Sequence, residues 1–406
     1  MTPAPEFDLM SPQVRANPYP LYEYLRNHAP LYFHEPWDTW FIVQYDACTT
    51  VLKSPVFGRE ITRVLTREGQ GLAPEPPPDV AHLVQTQSAW MLLKDPPDHT
   101  RLRGMVHKAF TPRTVERLRE AVQRMVDTAL DQALQSDEFD LIDTIAYPIP
   151  VRVIAELLDI PEADRPLFTG WSQDITPSLD FDDRREVYVQ ASSATASFYA
   201  YLQDLTAERR QHSGDDLLSA LIAAEAEDQR LSEHELISTA MLLLVAGHET
   251  TVNLIGNGML ALMRHRDQWD RLTADPALAK SAIEELLRYD SPVQLTARYV
   301  LEDTEILGVP MRIGQQVSTV LAAANRDPAR FPYPQRLDIT RDATGHLAFG
   351  SGIHYCVGAP LARLEGQIVF ETLARRAPGL RLGSAVPEYR PTLTLRGLKS
   401  LRLRVH

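Results

Sequence analysis

The chain has 406 residues, of which 44% are hydrophobic and 23% charged, and its formal net charge at pH 7 is −13. This balance is ordinary for a soluble globular protein, and the length is sufficient for one large core or for two to three domains. The acidic charge argues against nucleic acid as a main partner.

Two features predict where the chain resides. The first twenty residues, MTPAPEFDLMSPQVRANPYP, have neither an apolar run nor a basic start, so we expect no signal peptide and no membrane anchor. The two cysteines, Cys48 and Cys356, are too few for a disulfide framework or a four-cysteine zinc site. A reducing cytoplasm is the natural location, with Cys48 as a small buried apolar residue.

The N-terminal region predicts short elements. Apolar spacing favours a weak helix around Leu21 to Asn27, and two β-rich runs, residues 31–33 and 40–43, predict a hairpin. A short helix is expected from Tyr45 to Leu52. Residues 58–88 include GQGLAPEPPPD and have too many breaks for one regular element, so they read either as a disordered surface loop or as a mobile lid over a pocket.

A helix is predicted after Asp95-Pro96-Pro97-Asp98, because prolines are favoured at a helix start. His99 and Arg103 are four residues apart and share one face of it, which by itself is typical of a solvated basic surface. From Thr111 to about residue 230 the pattern is mostly helical. In that region residues 168–182 are expected to form a second edge of a pocket, with Phe168 and Trp171 in the core.

The clearest predicted element is a long helix that begins at a Ser232–Glu235 capping box and runs to about Arg264. Its apolar centre is too short for a membrane span, so a buried core helix fits better. Glycine, histidine, glutamate and two threonines, residues 247–251, interrupt this centre. Thr250 can bond the carbonyl of Ala246, and a carboxylate at Glu249 beside a hydroxyl is what a proton relay uses.

Two further segments precede the C-terminal part. A helix from Asp275 to Tyr289 places Glu285 and Arg288 three residues apart, where they can pair. Alternation of apolar residues predicts a strand from Val293 to Ala297. Beyond these, residues 380–382 and 401–405 are β-like and are expected to return to the sheet.

The most specific pattern is Phe349-Gly350-Ser351-Gly352-Ile353-His354-Tyr355-Cys356-Val357-Gly358, followed by a predicted helix from Ala359 to Ala377. Cys356 therefore lies on a glycine-rich loop at a helix amino terminus. Backbone N–H groups and the positive helix end both favour a thiolate there. The chemistry indicated is a thiolate presented as ligand to one metal ion.

At these residues the chain resembles the cytochrome P-450 family of haem-thiolate monooxygenases, whose F-G-x-G-x-H-x-C-x-G pattern is matched in full. Ala246, Gly247, Glu249, Thr250 and Thr251 match a second family pattern, A-G-x-[DE]-T-[TS]. The resemblance covers essentially the whole chain. It implies one domain over residues 1–406, mainly α with a smaller β-rich region, and a long central helix over the haem. The helical parts are near 96–290 and 359–377, and the β-rich parts near 31–45, 293–322 and 379–406.

The resemblance also implies roles for individual residues. Cys356 is the axial ligand of haem b, and Ala246 and Phe349 lie against the haem. The haem propionates are bound by basic side chains, His99, Arg103, Arg298 and His354. Glu249 and Thr250 manage protons, and Glu285, Arg288 and Arg336 form a buried network that locks the cysteine loop. Residues 58–88 become a substrate lid, and the edge of the substrate pocket is formed by Val245, Val293 and Leu295.

The implied reaction inserts one oxygen atom of dioxygen into a lipophilic small molecule by hydroxylation or epoxidation. No flavin or nicotinamide fingerprint is convincing, so electrons are expected from a ferredoxin and its reductase, with the chain a cytoplasmic monomer. A locally basic docking face is one reading of four cations, Arg101, Lys108, Arg113 and Arg363; scattered surface charge is the other. Two alternative functions are a peroxide-driven haem-thiolate peroxygenase and a non-enzymatic haem sensor or gas carrier.

Overall fold

A computed structural model describes residues 8–67, 75–181, 184–228 and 232–405. The α-helices within these ranges are α1 Pro12–Ala16, α2 Tyr19–His28, α3 Tyr45–Lys53, α4 Ile61–Arg67, α5 Ala81–Ser88, α6 Asp98–Ala109, α7 Pro112–Arg117, α8 Arg119–Ala133, α9 Pro148–Leu157, α10 Arg165–Ile175, α11 Arg185–Gln211, α12 Leu217–Asp228, α13 Glu233–Arg264, α14 Arg266–Ala274, α15 Ala279–Tyr289, α16 Leu321–Ala324 and α17 Ala359–Arg376. The mainly helical fold predicted from the sequence is confirmed.

The strands form a smaller part. They are β1 Leu31–His34, β2 Thr39–Ile42, β3 Phe57–Gly58, β4 Glu138–Asp140, β5 Thr296–Val300, β6 Thr304–Ile306, β7 Val309–Met311, β8 Gln316–Thr319, β9 Arg381–Leu382, β10 Glu388–Tyr389, β11 Leu398–Ser400 and β12 Arg402–Arg404. Five of them form the largest sheet in the order β1-β2-β8-β5-β3, in which β2 and β8 run parallel and the other neighbours antiparallel. The predicted hairpin is its β1–β2 edge.

Helix α13 crosses the interior. Its 32 residues span about 48 Å at the usual rise per residue. Ser232 Oγ accepts a hydrogen bond from the Glu235 N–H at 3.2 Å, and the Glu235 carboxylate accepts one from the Ser232 N–H at 2.9 Å, so the predicted capping box is present. The helix packs against α9, α11, α15 and α17 and is buried along most of its length.

Three sequence predictions need correction. The segment 58–88, read as irregular, contains helices α4 and α5, while its central residues 68–74 lie outside the described residues. Helix α15 begins at Ala279 because Pro276–Leu278 is a 3-10 turn. The C-terminal strands do not join the largest sheet: β12 pairs with β4 and β9 in a separate three-stranded sheet, which ties the chain end to the region before α9.

Two other predictions are confirmed by burial. Cys48 is fully buried on α3 as a small core residue, and Phe168 packs edge-on against the rings of Trp171, Phe198 and Tyr201. In the described residues, none of the helices combines the length and the apolar character that a bilayer crossing requires.

Candidate active site

The cysteine loop, residues 349–358, owes its shape to two glycines. Gly350 (φ +69°) and Gly352 (φ +70°) adopt left-handed backbone conformations that strain other residues. A Cβ on Gly352 would lie 2.3 Å from the Leu52 carbonyl oxygen, so the close approach of the loop to α3 requires glycine there. The glycine spacing noted in the sequence therefore fixes where Cys356 is held.

Cys356 lies at the end of this loop, directly before α17. Its N–H donates to the Phe349 carbonyl at 3.0 Å, and its side chain is exposed. Desolvation raises the pKa of the Cys356 thiol above its ordinary value, and the N–H groups of Gly358 and Ala359 and the charge of Arg103 offset part of that rise. These donors favour the thiolate, which is the form of cysteine that binds metal ions.

Helix α6 brings two basic side chains to the cysteine loop. The Arg103 guanidinium donates to the Tyr355 carbonyl at 2.6 Å. The His99 ring lies 4.3 Å from the His354 ring, centroid to centroid, and is only 2% exposed. Neither ring nitrogen of His99 has a hydrogen-bond partner among the described residues. The predicted pair on α6 thus converges with His354 instead of facing solvent.

Strand β5 adds a third buried cation. Arg298 is 3% exposed, and its guanidinium donates to Thr296 Oγ1 at 3.1 Å and to the Ala297 carbonyl at 2.7 Å. Arg59, which precedes α4, donates to the same two oxygens at 3.0 and 2.8 Å. Two guanidinium groups therefore share one pair of acceptors, and Arg59 is a member of the cluster that the sequence did not predict.

Positive charge in this cluster exceeds the negative charge that faces it. Burial, followed by the surrounding cations, lowers the pKa of His354 to about 2 and that of Arg298 to about 9. Asp95 is an acidic neighbour, but its oxygens already accept the N–H groups of Arg59 and Glu60 at 3.0–3.1 Å. His354 Nε2, like the His99 nitrogens, is buried and lacks a partner in the part of the chain that the structure describes. Such a cluster is stabilised by a bound anion.

Helix α13 presents a narrow exposed strip in its otherwise buried centre. Ala246 is exposed, and Leu243 and Thr250, which lie on the same face at helical spacing, are partly exposed. Thr250 Oγ1 donates to the Ala246 carbonyl at 3.2 Å, as the sequence predicts. The hydroxyl therefore stands at the edge of an accessible surface, where it can contact a bound molecule.

Glu249 and His248 lie outside this strip, and both are buried, with exposed fractions of 2% and 3%. The Glu249 carboxylate is paired with the Arg390 guanidinium at 2.5 Å, and His248 Nε2 lies 3.9 Å from the other Glu249 oxygen. Arg390 is 141 residues away in sequence, and no pattern around it indicates this pairing. The carboxylate beside Thr250 is thus held in place by a charge from the C-terminal region.

The predicted Glu285–Arg288 pair is fully buried on α15. The Arg288 guanidinium binds both oxygens of Glu285, at 2.7 and 2.8 Å, and the third side chain of the network is Arg341, which donates to Glu285 at 3.2 Å. The prediction of Arg336 is wrong: its side chain is exposed, and it contributes only its backbone carbonyl, 3.4 Å from Arg288. Arg336 and Arg341 lie in one surface loop, and the fold of that loop turns Arg341 inward.

A chain of hydrogen bonds connects this network to the cysteine loop. Arg288 donates to the Asn325 carbonyl at 3.0 Å, and the Asn325 side-chain oxygen accepts the Leu347 N–H at 2.6 Å. The Leu347 carbonyl in turn accepts the Gly350 N–H at 2.8 Å. The buried ion pair is therefore connected to the turn that positions Cys356.

A second network connects α15 with α17. Glu284, next to Glu285, accepts hydrogen bonds from Arg363 at 2.6 and 2.9 Å and faces the His346 ring nitrogen at 3.1 Å. Burial alone would raise the pKa of Glu284, but the bonds from His346 and Arg363 lower it to about 2. The sequence does not predict the role of Glu284, because the pattern around a charged helix residue does not show which distant residues it will bind.

Removing the negative charge of Glu284 should lower the free energy of unfolding by an amount that depends on pH. The pKa of Glu284 is depressed when the chain is folded, so its contribution is complete above the ordinary value of 4.5 and is lost as pH falls toward 2. Glu284→Gln should lower the free energy of unfolding by about 2 kcal/mol at pH 7, and the difference should shrink below pH 4. Denaturant unfolding of the holoprotein at several pH values measures this.

Glu120→Gln is the matched control, because its pair with Arg124 is exposed, at 3.9 Å, and pairs of that kind contribute little. A Glu284→Gln difference that stays constant as the pH falls from 4.5 toward 2 would show that packing, and not charge, is lost.

Other predicted site residues are less accessible than expected. Val245 and Leu295 are at most 3% exposed and lie within the hydrophobic core clusters, while Val293 is partly exposed and bridges to Leu395. The accessible surface near Val245 is instead the α13 strip. Their contact with a substrate stays a prediction.

The predicted basic docking face is weaker than the sequence indicates. Arg101 binds Asp98 at 2.9 Å and Glu235 at 2.5 Å, and Arg363 is held by Glu284. Two of the four predicted cations are therefore largely neutralised. The Arg363 guanidinium also lies 4.6 Å from the Phe349 ring centroid, so this cation supports the cysteine loop instead.

Fold and site together define a mainly helical protein that presents one cysteine from a glycine-rich loop, close to buried basic side chains that require an anion. Comparison with known proteins agrees with this class. A family model described as Cytochrome P450 matches residues 174–376. The cytochrome P450 monooxygenase PikC of Streptomyces venezuelae is 43% identical over 401 residues, which cover 96% of this chain and 91% of that protein.

Vitamin D(3) 25-hydroxylase of Pseudonocardia autotrophica is 40% identical and matches 98% of this chain and 96% of its own length. Among solved structures, the crystal structure of P450BioI with an acyl carrier protein carrying hexadec-9Z-enoic acid has a TM-score of 0.89 at 37% identity, with coverage of 97% of this chain and 99% of that one. The chain belongs to the cytochrome P450 family, and it is an oxidoreductase of the monooxygenase class.

Proposed function

We propose that this enzyme inserts one oxygen atom of dioxygen into a lipophilic small molecule, with haem b bound through Cys356. The observation that carries the proposal is the cluster of buried basic groups beside the cysteine loop. Both ring nitrogens of His99 and Nε2 of His354 lack partners among the residues that the structure describes, and burial, followed by the neighbouring cations, lowers the pKa of both rings. The two propionates of haem supply the missing carboxylates, so the residues present fit this group.

Each basic residue has a defined part in holding the cofactor. Arg298 is buried and would supply charge and hydrogen bonds to the carboxylates, His354 would do so through its buried Nε2, and His99 and Arg103 would do so from α6. Arg59 adds to the positive potential at Arg298. When bound, haem supplies the activation of dioxygen, which thiolate ligation favours by donating electron density to the iron.

The residues of α13 control protons at this site. Thr250 Oγ1, at the edge of the accessible strip, could donate a proton or hold a water molecule at this surface. The Glu249 carboxylate next to it can resupply that proton. Because Arg390 pairs with Glu249 at 2.5 Å, the carboxylate is held in one orientation beside Thr250.

Thr250→Ala should separate electron consumption from product formation. Without the hydroxyl the proton supply is mistimed, so product formed per electron pair should fall roughly tenfold while substrate still binds. Thr250→Ser retains the hydroxyl and should keep most of the product yield. The measurement is the ratio of hydroxylated product to NADH consumed in a reconstituted system. An unchanged ratio in Thr250→Ala would remove this residue from the proton path.

A lipophilic substrate is favoured by the chain and by its relatives. The exposed strip of α13 offers Leu243 and Ala246 as apolar surface. Two relatives are named as hydroxylases of vitamin D(3) and of 6-deoxyerythronolide B. A screen that follows the change in haem absorbance on displacement of iron-bound water would identify compounds that this chain binds.

We further infer a cytoplasmic monomer that receives electrons from a ferredoxin and its reductase. The test supplies NADH, a surrogate ferredoxin and reductase, and a compound from the screen. Oxygenated product is expected in this system. Equal turnover with peroxide alone would instead identify a peroxygenase, and haem binding without product under either condition would favour a sensor or gas carrier.

A further inference from the structure

A small internal cavity lies between α9, α10 and α13, apart from the cysteine loop. Its lining includes Ile154, Arg165, Phe168, Ser172 and His248. The volume of the cavity is about 10 Å³. That volume is close to the minimum that holds one water molecule, provided that polar partners are available.

The polar partners are present. Three of the lining residues each carry a buried polar atom without a hydrogen-bond partner in residues 8–67, 75–181, 184–228 and 232–405: Arg165 Nε, Ser172 Oγ and His248 Nε2. A buried water typically makes about three hydrogen bonds to such groups. Leaving all three atoms unpaired would be unfavourable, because each loses its hydrogen bonds to water on burial and gains none in return. A bound water is therefore the favourable state of this cavity.

The chemistry of His248 fixes the direction of these bonds. Its Nδ1 lies 3.0 Å from the Leu244 carbonyl, which can only accept, so Nδ1 carries the hydrogen and Nε2 is a free acceptor. Burial lowers the pKa of His248, which keeps the ring neutral at rest. A water that accepts from the Arg165 Nε–H can then donate its two hydrogens to Ser172 Oγ and His248 Nε2.

His248 also faces the carboxylate that the proton path requires. Its Nε2 is 3.9 Å from Glu249 Oε1. The other groups around the ring are Arg390, which pairs with Glu249, and Tyr147, whose ring packs edge-on at 5.9 Å. Burial and the charge of Glu249 raise the pKa of Tyr147 to about 12, so that phenol stays neutral. Among these groups, His248 is the one whose neutral ring can accept a proton transiently and release it again.

We propose that this cavity holds a water molecule and that His248 is a proton-transfer residue that carries protons from it to Glu249. The inference rests on the proposed function, because it names the source of protons for that site. The water transfers a proton to His248 Nε2 and recovers one from bulk solvent near the half-exposed Arg165. When attraction to the carboxylate brings the imidazolium from 3.9 Å to hydrogen-bond distance of Glu249 Oε1, it releases its Nε2 proton to that oxygen, and the neutral ring is restored. No electrons move in these steps.

Crystal structures of the holoenzyme test directly whether the cavity holds a water molecule. The wild type should show one ordered water within hydrogen-bond distance of Arg165 Nε, Ser172 Oγ and His248 Nε2. His248→Gln should keep it, because an amide oxygen is still an acceptor, whereas Ser172→Ala should weaken its density. A wild-type cavity without water overturns the proposal, whatever the result of any turnover assay.

Measurements of turnover distinguish a role of His248 in proton transfer from a role in packing. His248→Gln cannot carry a proton, so product per electron pair should fall on the order of tenfold, and the solvent deuterium isotope effect on product formation should increase. Thr169→Val is the control: it lines the same cavity, but its hydroxyl already donates to the Arg165 carbonyl at 3.3 Å, so both readouts should match the wild type.

If His248→Gln keeps the wild-type product ratio and isotope effect, the proposal fails and protons reach Glu249 by another route. That result leaves the proposed function intact, because the wild type still forms product. If instead the wild type forms no oxygenated product, the proposed function fails, and the crystal structure still decides whether the water is present.

Discussion

Cys356→Ser is expected to give a folded protein that loses the thiolate-type absorption band of its reduced carbon monoxide complex. A serine hydroxyl donates far less electron density to iron than a thiolate does, so oxygen insertion should fall by a factor of about 10² or more. The loop itself should persist, because its shape depends on the glycines and on the Cys356 N–H, which serine retains. Spectroscopy of the reduced, carbon monoxide-treated protein measures the ligand directly.

Cys48→Ala is the matched control for this change. Cys48 is fully buried on α3 and its thiol donates to the Ile42 carbonyl at 3.2 Å, so burial raises its pKa and keeps it protonated. Its removal should leave the thiolate spectrum unchanged. If Cys356→Ser retained the thiolate-type band, the assignment of the iron ligand would be refuted.

Arg288→Leu should destabilise the holoprotein by about 3–5 kcal/mol, because it leaves the Glu285 carboxylate buried with too little compensating charge. Arg288 and Glu285 are both fully buried, and Arg288 also satisfies the carbonyls of Asn325 and Pro334. Since this network connects to the turn before Cys356, the variant should also lose haem more readily. Thermal unfolding and haem transfer to an acceptor protein measure the two effects.

Two arginines of the neighbouring loop serve as graded controls. Arg341→Ala removes the second cation that binds Glu285, so it should destabilise the protein, though less than Arg288→Leu does. Arg336→Ala removes an exposed side chain and should change stability by less than about 0.5 kcal/mol. A large effect of Arg336→Ala together with a neutral Arg341→Ala would contradict the network described here.

The parts of the site that could be predicted from sequence are those encoded locally. The cysteine loop, the capped long helix and the Glu285–Arg288 spacing each depend on residues within one or two helical turns of one another. For these, glycine positions and side-chain periodicity are enough. The mainly α architecture is implied by the resemblance to the cytochrome P-450 family that these local patterns carry.

The parts that could not be predicted depend on contacts between distant segments. Arg390 reaches Glu249 across 141 residues, and Arg59 shares acceptors with Arg298 from a segment that showed only glycine and proline breaks. Strand β12 pairs with β4 rather than with the largest sheet, which no alternation of apolar residues specifies. The choice of Arg341 over Arg336 is of the same kind, because loop conformation decides which guanidinium turns inward.

X-ray absorption at the iron edge of the purified wild-type holoprotein tests the central claim most directly. If Cys356 holds the iron, the spectrum will contain one sulfur atom bound to iron, and Cys356→Ser will lose that sulfur while Cys48→Ala keeps it. An iron atom surrounded only by nitrogen and oxygen in the wild type would contradict the account.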